Sequence, residues 1–278
     1  MFLYRFLYLT IFSHLKKCGA MKRNNFVLDI GNSHIVAAVF QNSKMLRSWR
    51  FATDKTKTKD EYGVIINSFF SNLNLEIQQI DRAAISSVVP VLTGVFEKMF
   101  TEAGIEKITL VSAYTPLGLR FPMSDPGFVG ADLVVNAFAA KEKYQQNCIV
   151  CDFGTATTMQ LVGKDGFFYG TVIMPGVMIS ATRLFDKAAL LTNIDLEAPT
   201  TLLGTNTQDS LLSGIIRGNA FMIDGFIRKI KEEHSNLKPI KVIATGGISQ
   251  LICQQSEEID EIDENLTLTG LNRICERE

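Results

Sequence analysis

Histidine is scarce in this sequence, with three in 278 residues (His14, His34 and His234). The five cysteines (Cys18, Cys148, Cys151, Cys253 and Cys275) are scattered and odd in number. Cys148 and Cys151 form a Cys-x-x-Cys, but it flanks an apolar strand and has no second pair. The thiols therefore read as reduced core residues of a cytoplasmic protein, not as zinc or redox ligands. Net charge is nearly absent, at −1, which argues against general nucleic-acid binding and against an electrostatic membrane anchor. No apolar run reaches the length of a membrane span. The phosphate loop G-x-x-x-x-G-K-[ST], the dinucleotide fingerprint G-x-G-x-x-G and the hydrolase elbow G-x-S-x-G are all missing, and no Ser or Cys has a plausible His partner. What remains, 46% hydrophobic and 21% charged, is ordinary globular composition in a chain long enough for two modest domains.

Against these absences one pattern stands out. Val150-Cys151-Asp152-Phe153-Gly154-Thr155-Ala156-Thr157-Thr158 reads as a buried strand ending in an acid, then a tight turn rich in hydroxyls. The strand fixes Asp152, Gly154 lets backbone approach a ligand, and Thr155, Thr157, Thr158 and the turn N–H groups can donate hydrogen bonds. A carboxylate beside several donors suits a cation with phosphate. The alternative is a core strand running into a Thr-rich hairpin. The pattern recurs at Asp29-Ile30-Gly31-Asn32-Ser33, inside the apolar run 26–40. A repeat at half-chain spacing points to two related domains facing each other, each contributing one phosphate hairpin.

Residues 1–20 stand apart. Lys16 and Lys17 follow their apolar run, where a secretory signal would carry small residues, so Met21 is the expected start and a membrane-tethering amphipathic segment the alternative. The spacing predicts strands over 26–30, 35–40, 44–51, 83–89 and 107–111, with helices over 60–73 and 92–103. Residues 115–129 form a proline-rich loop of the kind that shapes binding sites. Gly130-Ala131-Asp132 opens a helix to about residue 144. Asp132 there either complements the helix dipole or stands as an acid held at the mouth of a cleft. The second half repeats the plan, with strands over 148–158, 159–162, 167–173 and 241–244, and helices over 178–190 and 205–233. Gly214 and Gly218 suggest close packing or a nearby nucleotide. Thr245-Gly246-Gly247 offers a backbone platform for a flat ligand such as adenine. Residues 265–271 read as a short strand entering a final helix. Strands alternating with helices give an α/β class.

In order and spacing, the motifs Asp29-Ile30-Gly31-Asn32-Ser33, Gly130-Ala131-Asp132, Asp152 to Thr158, Ile173-Met174-Pro175-Gly176, Thr207 with Ser213-Gly214, Thr245-Gly246-Gly247 and Leu266 to Leu271 resemble type III pantothenate kinases over about residues 25–275. The resemblance implies two duplicated ribonuclease-H-like, actin-like ATPase domains (21–145 and 146–278) with a cleft between them, as in the acetate and sugar kinase, Hsp70 and actin superfamily. It implies transfer of the ATP γ-phosphoryl to the terminal hydroxyl of pantothenate, the first step towards coenzyme A. It further implies a homodimer that uses Mg²⁺ or another divalent cation together with K⁺ or NH₄⁺. By position, Asp29, Ile30, Gly31, Asn32, Ser33, His34, Ile35 and Val36 would form the first ATP hairpin, with Asp29 near the divalent cation. Thr155 would contact ATP, Asp152 would hold the monovalent cation, and Gly246 and Gly247 would border the nucleoside. Asp132 would be the general base. Met123, Gly130, Ala131, Asp132, Leu133 and Ala188 would occupy the pantothenate positions.

Several of those positions depart from the family pattern. Leu133 stands where an Arg follows the catalytic Asp, Met123 where a Tyr is usual, Ala188 where a Thr reaches the partner's substrate, and Thr171 where a second Gly precedes the Pro-Gly turn. A charged hydrogen bond to substrate is worth about 1.5–3 kcal/mol, so each loss would weaken binding roughly 10- to 100-fold unless Arg120, Ser124 or Arg183 compensates. Three functions stay open on the sequence: a pantothenate kinase with a rebuilt acceptor pocket, a kinase for another small hydroxyl compound, and a non-catalytic nucleotide-binding paralogue with a regulatory role.

Overall fold

The computed structural model describes residues 23–187 and 196–277. The first twenty residues and Ala188 therefore lie outside the described residues. The chain builds two five-stranded sheets of the same plan. In the first, β1 (Asn24–Ile30), β2 (His34–Gln41) and β3 (Lys44–Ala52) form an antiparallel meander. After α1 (Lys59–Ser71), β4 (Arg82–Ser87) joins β1 in parallel. After α2 (Pro90–Glu102), β5 (Lys107–Leu110) extends the sheet, giving the order β3-β2-β1-β4-β5. A long loop then leads to α3 (Ala131–Tyr144). The second sheet repeats the plan with β6 (Asn147–Phe153), β7 (Ala156–Val162) and β8 (Phe168–Pro175). α4 (Val177–Lys187) follows, then α5 (Thr207–Leu212), a π-helical turn over Ser213–Arg217, and α6 (Gly218–Glu233). β9 (Ile240–Thr245), α7 (Ser249–Cys253) and β10 (Glu261–Ile262) complete the sheet in the order β8-β7-β6-β9-β10. The chain ends in α8 (Leu266–Arg277).

Strand alternation assigns each residue a face. On one face of the first sheet, Phe26, Leu28, Ile30, Ile35, Ala83 and Ile85 pack under α1 and α2. In the second sheet Ile149, Cys151, Phe153, Met159 and Val242 pack under α6 and its neighbours. The two opposite faces share one core with α3 and α8. These helices cross at Gly270, where a Cβ would lie 2.7 Å from the Ala139 Cβ. Asn25 and Asn272 tie α8 to the first sheet, Asn25 Nδ2 donating to Asn272 Oδ1 at 2.8 Å. Cys148 and Cys151 belong to different cores on opposite faces of β6, so they do not form a shared metal or disulfide pair. Burial pushes the Cys148 thiol up to about 12.

Two expectations fail. Residues 265–271 hold no strand, because α8 starts at Leu266. The Leu-Thr-Leu-Thr alternation suggested period two, but Leu266, Leu271, Ile274 and Cys275 are buried together in the shared core, so the helical period prevails. Of the two readings of Gly214 and Gly218, close packing fails, since a Cβ at either would meet nothing within 4 Å.

Candidate active site

Asp29 and Asp152 occupy corresponding places in the two sheets. Each lies near the C-terminal end of a central strand, on the face turned towards the other half. Register makes the correspondence explicit. One cross-strand row of the first sheet runs Arg50, Val36, Asp29, Ser86. Its counterpart in the second runs Ile173, Thr158, Asp152, Thr245. Ser86 Oγ donates to Asp29 Oδ1 at 2.9 Å. Asn136 Nδ2 of α3 donates to Asp152 Oδ2 at 2.9 Å, while its own Oδ1 accepts from Thr267 Oγ1 of α8 at 2.7 Å. Both hairpin turns are closed by backbone bonds, Gly31 N to the His34 carbonyl at 3.0 Å and Gly154 N to the Ala156 carbonyl at 3.1 Å. Their tips meet, Thr155 Oγ1 donating to Ser33 Oγ at 2.9 Å.

Asp132 enters from the first turn of α3. Its Oδ1 accepts from the Leu133 N–H at 2.8 Å, and a Cβ on Gly130 would lie 2.4 Å from that oxygen, so glycine leaves the carboxylate room to point outward. The three acids line a cleft of about 380 Å³, together with Gly31, Ser33, Thr155, Gly246 and Gly247. Arg50 and Glu264 line it too, and the sequence had not singled them out.

Burial, Asp132 and Asp152 together raise Asp29 to about 7, against the opposing pull of Ser86 and Arg50. Burial and Asp132 raise Asp152 to about 6. Burial raises Asp132. Buried carboxyls gathered in one cleft, which Arg50 offsets only in part, hold protons above the ordinary carboxylate range. A group whose folded pKa is raised stabilises the fold below its unfolded value, near 3.8, and that contribution disappears as pH rises through the folded value. The ligand-free protein should therefore lose stability from roughly pH 4 to 7, and Mg²⁺ with nucleotide should raise the melting temperature more at pH 8 than at pH 5.5. Thermal melts at the two pH values check this.

Residues 25–229 match the sequence profile of type III pantothenate kinases. The type III pantothenate kinase of Geotalea daltonii is 41% identical over 251 residues, 90% of this chain and 97% of that one. The chain belongs to the type III pantothenate kinase family. Solved structures support its fold. MreB 5 of Spiroplasma citri, bound to AMPPNP, superposes with a TM-score of 0.56 at 10% identity, covering 93% of this chain and 97% of that one. Component A of the Acidaminococcus fermentans (R)-2-hydroxyglutaryl-CoA dehydratase gives 0.54 at 14% identity, covering 91% and 96%.

For this type III pantothenate kinase family member, the structure gathers some of the expected positions and separates others. Asp29, Gly31, Asn32, Ser33, His34, Val36, Asp132, Asp152, Thr155, Gly246 and Gly247 line one cleft. Ile30 and Ile35 are fully buried in the first sheet's outer core and support the hairpin from behind. Met123, Gly130, Ala131 and Leu133 are not among the cleft-lining residues. Leu133 is buried in the shared core, and its carbonyl accepts from Gln160 Nε2 at 2.9 Å. Arg120 pairs with Asp165 and lies over the Phe167 ring, which ties the long loop to the second sheet. Arg50 and Thr53 escaped sequence reasoning. Arg50's signal was its cross-strand register with Asp29. Thr53 clamps the first hairpin by donating its Oγ1 to the Gly31 carbonyl at 2.7 Å.

Proposed function

We propose that this protein transfers the γ-phosphoryl group of ATP to the terminal hydroxyl of pantothenate, forming 4′-phosphopantothenate in the first step of coenzyme A biosynthesis. The observation that carries this reading is the convergence of Asp29, Asp132 and Asp152 on one cleft, from two repeated hairpins and a helix start, in a member of this family. Asp29 and Asp152 offer carboxylate oxygens at the cleft wall, which suits a hard divalent cation that completes its shell with phosphate and water. Asp29 and Asp152 would hold the divalent and monovalent (K⁺ or NH₄⁺) cations respectively. A bound divalent cation supplies charge neutralisation for the phosphates. Residues 29–36 and Thr155 would hold the phosphate chain from both sides, with Gly246 and Gly247 beside the nucleoside. Asp132, half-buried and raised in pKa, would accept the hydroxyl proton of the acceptor.

Exposed apolar side chains support a homodimer: Met178, Ile179 and Leu184 on α4, and Phe221, Met222 and Phe226 on α6. Among the described residues no helix is long and apolar enough to cross a membrane. Cys148, Cys151 and Cys253 carry free thiols, which supports a cytoplasmic setting. The proposed lobes, 21–145 and 146–278, would each give one hairpin to the cleft.

The test is turnover by the full chain with ATP, Mg²⁺, K⁺ and pantothenate, following ADP and phosphopantothenate. Absence of product at high pantothenate overturns the reading. The buried Leu133 favours one rival, a kinase for a different small alcohol, which turnover of another pantetheine-like hydroxyl compound would reveal. Leu133 also gives a stability prediction. Leu133→Arg should cost about 3 kcal/mol by burying a charge in the apolar shared core. Urea denaturation of the variant checks this.

A further inference from the structure

The cleft is built for a polyanion but lined by Asp29, Asp132, Asp152 and Glu264, and Arg50 is the one Lys or Arg among its described lining residues. Local structure fixes where Arg50 points. On the same strand, Trp49 stacks on Phe69 at 4.7 Å and Phe51 packs against Tyr62 and Phe69. These flanking rings take the outer face, so alternation turns Arg50 to the inner one. Register then places it in the row that contains Asp29. Its guanidinium also reaches the other half of the molecule, because a Cβ on Gly247 would lie 3.0 Å from Arg50 Nη1. The strand does not itself demand a cation here. The matching position in the second sheet is Ile173, exposed without an equivalent charge. No carboxylate lies within ion-pair distance of Arg50 among the described salt bridges.

We propose that Arg50 binds the terminal phosphate of the nucleotide and, through it, links β3 of the first sheet to the Gly246-Gly247 turn of the second. The inference rests on the cleft being the ATP site. A planar fork of donors, always charged, suits a phosphate that gains charge on its outer oxygens during transfer. Binding of ATP and ADP to the full chain with Mg²⁺, measured by calorimetry, separates this from other roles. Arg50→Ala should weaken ATP binding roughly 10- to 100-fold and change ADP binding less than about threefold. It should lower kcat by about 10³-fold with the KM for pantothenate unchanged. Arg50→Lys should restore part of the ATP affinity, and Arg50→Met, which keeps the apolar stem, should behave like alanine if the alanine variant melts early. Equal weakening of ATP and ADP, or no weakening of either, overturns the proposal while leaving the kinase reading intact. If the unaltered protein binds neither nucleotide, the kinase reading fails and takes this one with it.

Discussion

Asp132→Asn should lower kcat for pantothenate phosphorylation by roughly 10²–10⁴-fold while leaving Mg²⁺-ATP bound at least as tightly as in the unaltered protein. The two halves of that expectation have different causes. The rate falls because the amide cannot take the acceptor proton. Nucleotide binding persists because Asp132 does not anchor a hairpin; it stands at the start of α3, held by the Leu133 N–H. Its charge in fact opposes the other two acids, ranking second after burial among the causes that raise both Asp29 and Asp152. Removing it lets those carboxyls ionise more readily and so favours cation binding. Steady-state turnover with nucleotide titration checks both. Unchanged turnover would show that Asp132 is not the base, and loss of nucleotide binding would show that it belongs to the nucleotide site.

Gly246→Ala should abolish nucleotide binding and destabilise the fold by about 3 kcal/mol, a drop in melting temperature of roughly 10 °C for a chain of this size. Gly246 has φ of +92°, which side-chain-bearing residues adopt only under strain. A Cβ there would also lie 2.6 Å from Asp152 Oδ1 and 2.7 Å from backbone atoms of Phe153. Backbone in a central strand has little room to give, so Asp152 and the second hairpin must shift. Calorimetric melting and nucleotide titration of the variant measure the two effects. A variant that melts within 2 °C of the unaltered protein, an order-of-magnitude bound from the same scaling, would contradict this account.

The legible parts of the site were those written as local pattern. Asp29 and Asp152 could be found because each ends an apolar strand and precedes a glycine turn. Asp132 could be found because glycine and a helical period follow one another around it. Arg50 carries no such mark. It is one of two arginines in β3, and its meaning comes from lying two strands away from Asp29 in the same row. Leu133 shows the opposite case. The sequence places it next to Asp132, yet the helix turns its side chain into the shared core while Asp132 faces the cleft. Adjacent residues on a helix point about 100° apart, so sequence neighbours need not share a site.

The sequence by itself determined the duplication, the two strand-borne acids and the helix-borne one, because strand periodicity and glycine turns are local physics. The tertiary structure decided what those acids do to one another. Only packing of both sheets around α3 and α8 brings three carboxyls into one cleft, raises their affinity for protons, sets Arg50 opposite Gly247 and hides Leu133. Those effects depend on distance and burial between segments far apart in the chain, which no local pattern records.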